Sequence, residues 1–462
     1  MKSKEQVFKE LSPVFNPDTV AVIGASREKE KIGHSVYKTM KQSFKGKVYP
    51  VNPNAEEILG EKSFNSVKDI PGEVDLAVIT VPAKITPKVI EQCGEKNVEG
   101  AVIITSGYSE IGNNELEKKL KQKIEEAGIR VVGPNCLGIL DNTTGLNTLF
   151  LPPEKLSIPK KGGIGIISQS GAVGSVIVDW CSYENFGVSR FISYGNGIDI
   201  DERHLIKFLG QDPETDVIAI YLEGTQEGRD LMQAAKEVTT EKPIIVLKGG
   251  KTSKGSEAVS SHTGSLAGSA EVYSSAFQQS NIIQARTMLD LLDYAEAFEK
   301  QPLPSGRNVM IVSNGGGYGV LSTDEVINQG LELAEISPEL EKELEKAIPD
   351  YGNVGNPFDI LGDADQERYK KALKPLQDAD EVDAVICVQL FQTGPMDEEA
   401  IQSVFDFNKN SDKPIIVVTS GSEKVHEIKE KLENKGIPVF NTPNRAVDAL
   451  TSLIKYKERK EQ

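Results

Sequence analysis

Short, uninterrupted apolar runs recur along the chain, and each gives way to a turn and then to apolar residues returning every three or four positions. The first such run is Thr19–Ile23, and Lys47–Val51, Asp75–Val81, Ala101–Thr105 and Arg130–Val132 follow it. Further runs open at Ile164–Ile167 and Asn308–Val312. Continuous Val/Ile runs without polar alternation predict strands buried on both faces, and the helical pattern between them predicts parallel sheets covered by helices. Two irregular stretches interrupt the series, Leu151–Pro153 with Ile158–Gly163, and Gln301–Gly306. The expected organisation is α/β throughout: a Rossmann-like unit over 1–158, then two flavodoxin-like units over 159–303 and 304–462.

The second and third units resemble each other. Ile166–Gly174 parallels Ile311–Gly319, Lys242–Val246 recurs as Lys413–Val417, and Val217–Glu223 pairs with Val385–Phe391. The differences between the copies carry the chemistry. Only the second unit ends its middle strand on Glu223, and only it carries the long run of small residues Lys251–Ser269, with His262 in its middle. Connections of this length are usually functional. An imidazole there can act as a base, a metal ligand or a nucleophile that takes up a phosphoryl group. With no second His, Cys or carboxylate cluster in the run, a metal is disfavoured. A duplication in which one copy keeps Glu and His suggests that the two act together.

Two glycine loops match between the copies, one holding Ser170, Gly171 and Ala172 and the other Gly316 and Gly317. Each follows a strand and opens a helix, where free N–H groups and the helix dipole attract an anion. The first unit has a third turn of this kind, Val22–Gly33, which is not a clean GxGxxG. Where an NAD-binding fold places an acidic residue for the ribose stands Val51-Asn-Pro-Asn54. NAD is therefore disfavoured and another nucleotide-bearing ligand expected, with Arg27, Lys29 and Lys31 as candidate cations. His34, His204 and His426 read as solvated helical residues, and Cys136 as a small buried residue or a pocket wall.

Composition narrows the classes. At 462 residues about three domains are expected, and 38% hydrophobic with 26% charged residues is ordinary for a water-exposed globular chain. A net charge of −17 disfavours nucleic acid and anionic membranes. It also means that a phosphorylated ligand must be held by local donors. No apolar run reaches the roughly 20 residues that span a bilayer, and the N-terminus leads into no signal core. Cys93, Cys136, Cys181 and Cys387 lie far apart with no CxxC pair, which argues against zinc and disulfides and fits a reducing cytoplasm.

Taken together, Val20–Ser26, Pro50–Pro53, Val81–Ala83, Gly133–Gly138, Ile167–Ala172, Tyr221–Gly224, Ser261–Gly268, Asn314–Gly317 and Asn356–Asp359 resemble the α subunits of ADP-forming acyl-CoA synthetases. These are also called ADP-forming acetate–CoA ligases and lie within the succinyl-CoA synthetase superfamily. The resemblance runs in family order over nearly the whole chain, and Ser261-His-Thr-Gly-Ser-Leu-Ala-Gly268 is its most specific motif. It implies a CoA-binding first unit followed by two CoA-ligase units. Acyl-CoA and phosphate would give acyl-phosphate and CoA, and His262, assisted by Glu223, would carry the phosphoryl group to ADP. The ADP and magnesium site is expected on a separate ATP-grasp β subunit in an α2β2 assembly, with small carboxylic acids and their CoA esters as substrates. CoA is expected on Gly24, Ala25, Ser26, Arg27, Asn52, Val81, Pro82, Ser106 and Gly107, its thiol end near Asn135 and Cys136. Phosphate is expected at Ser170, Gly171, Ala172, Gly316 and Gly317. His34 stands where the family commonly carries an aromatic such as Tyr. The alternative is a non-catalytic CoA-sensing or scaffold protein of the same domain set.

Overall fold

A computed structural model describes residues 2–257, 269–393 and 395–461. These form two compact units, Met1–Met288 and Leu289–Gln462. The first unit holds two large sheets and a small antiparallel pair, Glu57–Ile58 with Glu61–Lys62. Thr19–Ile23 (β1), Lys47–Val51 (β2), Leu76–Ile79 (β3), Gly100–Ile103 (β4) and Arg130–Val132 (β5) are parallel in the order β2-β1-β3-β4-β5. The second sheet comprises Gly138–Asp141 (β6), Ile164–Ser168 (β7), Val188–Ser193 (β8), Val217–Leu222 (β9), Ile244–Lys248 (β10) and Ile283–Ala285 (β11). Its order is β11-β10-β9-β7-β8-β6, with β6 antiparallel to β8.

The second unit builds one sheet from Asn308–Ser313 (β12), Glu332–Leu333 (β13), Phe358–Asp359 (β14), Ala384–Val388 (β15), Ile415–Val418 (β16) and Val439–Phe440 (β17). The order is β13-β12-β15-β16-β17, and β14 also pairs with β12. If β6 and β14 are set aside, the three large sheets share one winding, with the first strand between the second and the third. A doubly wound sheet of this order opens a crevice beside its first strand, at the carboxyl ends. The duplication read from the sequence is thus a duplicated flavodoxin-like topology.

Burial explains the uninterrupted apolar runs. All four residues of β3, of β4 and of β16 are buried, as are all five of β7 and of β15. Each Val or Ile so placed contributes about 1.5–3 kcal/mol relative to exposure. One apolar cluster runs from Val7 and Phe15 of the N-terminal helix Lys4–Phe15 through Val20 and Val78 to Ile167, Ile220 and Phe277. The first two sheets therefore share a core.

Strand β6 lies inside the stretch expected to be the first unit, yet it pairs in the second sheet. It is four residues long, opening on Gly138 at φ +119° and bridging from Leu140 to Asn147, too short a run to read as a strand. The chain thus ties the two sheets together before β7 begins. Register corrects the internal alignment by one residue. Ser168 pairs with Tyr221, and Ser313 pairs with Val388, so the counterpart of Glu223 is Leu390 and not Phe391. No helix among the described residues is long and apolar enough to cross a membrane.

Candidate active site

The carboxyl ends of the first two sheets frame a cleft of about 2280 Å³. On the first sheet, β1 turns at Gly24, whose φ of +97° suits glycine. The helix Ile32–Ser43 then packs so closely that a Cβ on Gly33 would lie 1.9 Å from the Gly24 carbonyl oxygen. This brings backbone within reach of a ligand at the helix N-terminus.

Gly24, Ser26, Asn52, Val81, Pro82, Ser106, Asn135 and Cys136 all line the cleft. Three other expected CoA contacts do not. Ala25 is fully buried, and its carbonyl accepts a hydrogen bond from Asn52 Nδ2 at 2.8 Å. Arg27 is exposed and outside the lining, whereas Lys31 lies within it. Gly107 also stands outside the lining, its N–H donating to Glu110 Oε1.

Cys136 is a wall. Its thiol donates to the Ile103 carbonyl at 3.3 Å, and burial pushes its pKa up to about 12, so it stays neutral. His34 is not solvated, as the usual exposure of helical histidines suggested; it is buried, with Nδ1 2.9 Å from the Ser26 carbonyl oxygen. The helix turns Gly33, His34, Val36, Tyr37 and Met40 toward the sheet, which accounts for the burial. His204 forms a reciprocal cap with Asp201. Burial, the largest influence on the Asp201 carboxyl, is outweighed by hydrogen bonds from His204 and Arg203, which hold its pKa at about 2.

The second sheet presents its glycine loop to the same cleft. Ser170 caps the helix Gly171–Tyr183, its Oγ accepting from the Val173 N–H at 3.4 Å and its carbonyl from the Gly174 N–H at 2.9 Å. The amides of Gly171 and Ala172 are left without an intrahelical acceptor. Ser170, Gly171, Ala172 and Glu223 all line the cleft. Gln169, not anticipated from the sequence, sets the turn that carries Glu223. Its Oε1 accepts from the Glu223 N–H at 2.7 Å and the Gly224 N–H at 3.0 Å. The Glu223 carbonyl accepts from Lys248 Nζ at 2.7 Å, and its carboxylate from the Tyr221 hydroxyl at 3.4 Å. An amide side chain after the serine in both glycine loops, Gln169 and Asn314, was the available signal.

The two sheets meet where the chemistry is expected. The Leu137 N–H donates to Ser193 Oγ at 3.1 Å, Asn196 N–H donates to the Pro134 carbonyl at 3.0 Å, and Asn135 Nδ2 to Asn196 Oδ1 at 3.2 Å. A Cβ built on Gly171 would lie 3.6 Å from Leu137 Cβ. The segment Asn135–Leu137 and the glycine loop are thus in near contact, although 34 positions separate Leu137 from Gly171 in the chain. Lys88, Lys118 and Lys121 also line the cleft, cations that sequence periodicity did not single out.

Gly316 and Gly317 open the helix Gly316–Asn328 of the second unit. His262 lies outside the described residues. Of its flanks, 253–257 is helical, which the small-residue composition concealed, and Ser269 caps the helix Ala270–Gln279. Among the described residues no group of three or more His, Cys, Asp or Glu could hold a metal.

Known families agree with this arrangement. Residues 18–142 match a CoA binding domain, 161–298 a succinyl-CoA ligase like flavodoxin domain, and 309–460 a ligase-CoA domain. The α subunit of acetate–CoA ligase [ADP-forming] II from Pyrococcus furiosus is 41% identical, over 96% of this chain and 97% of the relative. Acetate–CoA ligase [ADP-forming] from Methanocaldococcus jannaschii is 40% identical over 97% of this chain, which spans 63% of that relative's length. A solved structure of dinucleotide-forming acetyl-coenzyme A synthetase 1 from Ca. Korarchaeum cryptofilum, in complex with phosphate and ADP, superposes with a TM-score of 0.92 at 38% identity, covering 98% of this chain and 97% of that one. The fold and site define an α/β CoA ligase of the succinyl-CoA ligase type. Within it, the chain belongs to the family of ADP-forming acetate–CoA ligase α subunits.

Proposed function

We propose that this chain is the acyl-transferring α subunit of an ADP-forming acid–CoA ligase acting on small carboxylic acids, acetate among them. CoA lies along the carboxyl edge of the first sheet, its nucleotide end at Gly24, Ser26 and Asn52 and its thioester at Asn135–Leu137. Phosphate sits on the amides of Gly171 and Ala172. A phosphate oxygen attacks the thioester carbonyl, the C–S bond breaks, and acyl-phosphate and CoA result. Nε2 of His262 then attacks phosphorus, the carboxylate leaves, and the N–P bond forms. Glu223 accepts the Nδ1–H of His262 and stabilises the cationic ring. The phosphoryl group passes to ADP, bound with magnesium on a separate ATP-grasp β subunit in an α2β2 assembly.

The observation that carries this reading is the near contact of Leu137 with Gly171, because acyl transfer from thioester to phosphate needs both groups at one point. Incubation of the chain with acetyl-CoA and radiolabelled phosphate is expected to give an acid-labile, base-stable label on the protein. A chain that binds CoA yet takes up no such label would be the CoA-sensing scaffold instead. ATP synthesis from ADP by the isolated chain would overturn the two-subunit reading.

A further inference from the structure

We infer, on the basis of the function proposed above, that Lys248 is a positioning residue for Glu223: its ammonium holds the Glu223 carbonyl and keeps the carboxylate ionised for phosphoryl transfer to His262. Lys248 ends β10, in register with Leu222 at the end of β9. Its Nζ donates to the Glu223 carbonyl at 2.7 Å and to the Gly249 carbonyl, and it lies 4.6 Å from the centre of the Tyr273 ring. Glu223 is thereby gripped by two side chains at once, its N–H by Gln169 and its C=O by Lys248.

The charge on this lysine is what calls for a function. Lys248 is 3% exposed, and among the described residues its ammonium meets two carbonyls and a ring face but forms no ion pair. Burying a cation in this way is costly, and a neutral donor would serve the carbonyl at a smaller cost. Burial pushes the amine below the ordinary lysine range, and the Lys251 charge acts in the same direction, while the Glu223 charge opposes both. The third sheet shows that the fold does not need the ion, since at the same register it has Thr419 for Lys248 and Leu390 for Glu223. Cation and carboxylate are present together or absent together. Glu223 is 7% exposed where it lines the cleft, and burial of that degree favours the neutral acid unless a cation stands near. Tyr221 and Tyr194 also face this carboxylate, but burial raises the pKa of both phenols, and they stay neutral. Lys248 supplies the positive charge. A protonated Glu223 would be a poor acceptor for the Nδ1–H of His262.

The test uses rapid-quench single-turnover experiments on the full chain with acetyl-CoA and radiolabelled phosphate. Acyl-phosphate, trapped as hydroxamate, and the acid-labile protein label are followed separately. Lys248→Met should lower the rate of labelling relative to acyl-phosphate formation by about tenfold or more. The acidic limb of labelling should move to higher pH by about one unit. In a Glu223→Gln protein the same substitution should change the rate ratio by less than about twofold, because the group it serves is gone. Lys248→Gln keeps an N–H donor for the carbonyl but loses the charge. It should show the same shift of the acidic limb, and it decides the question should Lys248→Met fail to fold. A rate ratio and acidic limb that match wild type in the folded variants, as monitored by thermal unfolding, overturn the assignment. So does equal slowing of both steps, or a loss just as large in the Glu223→Gln protein; each makes the lysine a structural residue and leaves the proposed function intact. Wild type that forms no acyl-phosphate, or forms it without labelling the protein, overturns the proposed function, and this inference with it.

Discussion

The second and third sheets use the same residues for architecture and different residues where chemistry is expected. In both, the serine ending the first strand donates its hydroxyl to the carbonyl just before the helix: Ser168 to Ser170 at 2.7 Å, and Ser313 to Gly315 at 2.9 Å. In both, an amide side chain ties the glycine loop to the third strand, Gln169 to the Glu223 N–H and Asn314 to the Leu390 N–H at 2.9 Å. In both, the lysine two positions before the fourth strand runs back to close a helix or turn. Lys242 donates to the carbonyls of Leu209 and Asp212, and Lys413 to those of Leu376 and Ala379. The copies part at the position after the third strand, Glu223 against Leu390, and at the end of the fourth, Lys248 against Thr419. A side-chain hydrogen bond kept in both copies is therefore evidence of a folding role. A polar residue in one copy only, lining a cleft, points to chemistry.

The strongest way to break this comparison is to remove the group that only the second copy's loop carries. His262→Ala should abolish the acid-labile phosphoryl label altogether, and a label that persists would place the acceptor elsewhere. Exchanging the divergent residues comes next. Glu223→Leu installs the third sheet's residue and should slow phosphoryl uptake by about 10²- to 10³-fold in rapid-quench measurements. Leu390→Glu should create no second activity.

Gly171→Ala sharpens the distinction between loop and helix. Its added methyl meets Leu137 at 3.6 Å without a clash, so the melting temperature should hold while acyl-phosphate formation slows by roughly 10- to 100-fold through displaced substrate. The smallest effects belong to the shared architecture. Lys242→Met and Lys413→Met should each cost about 1–2 kcal/mol in chemical denaturation, with activity preserved in the folded fraction. Burial pushes both amines below the ordinary lysine range. The folded state therefore binds fewer protons than the unfolded chain just below that range, and their contribution to stability should rise as pH climbs through it. Loss of that alkaline slope in the Met variants is the check.

Much of this was legible from residues alone. Strands buried on both faces announce themselves as unbroken Val/Ile runs, because nothing along them needs to face water. The glycine loops were legible since a helix N-terminus that approaches a ligand closely tolerates little but small residues. His34 was misread because a histidine on a helix is usually exposed, and only the packing decides which face turns inward. Leu390 was misread for Phe391 because apolar strands align almost equally well when slipped by one residue. The interstrand hydrogen bonds remove that ambiguity.

By itself the sequence determined the local alternation of strand and helix, the internal duplication, the two glycine loops, and Glu223 and the His262 run as features of one copy. These follow from short-range rules of periodicity, turn chemistry and close approach, which act over a few residues. Only the tertiary structure decided that β6 crosses into the second sheet, that Gln169 orients Glu223 from 54 positions away, and that Leu137 faces Gly171 across a gap one methyl wide. Such contacts depend on how whole layers pack, where a shift of an ångström changes every partner. No pattern read along the chain carries that information.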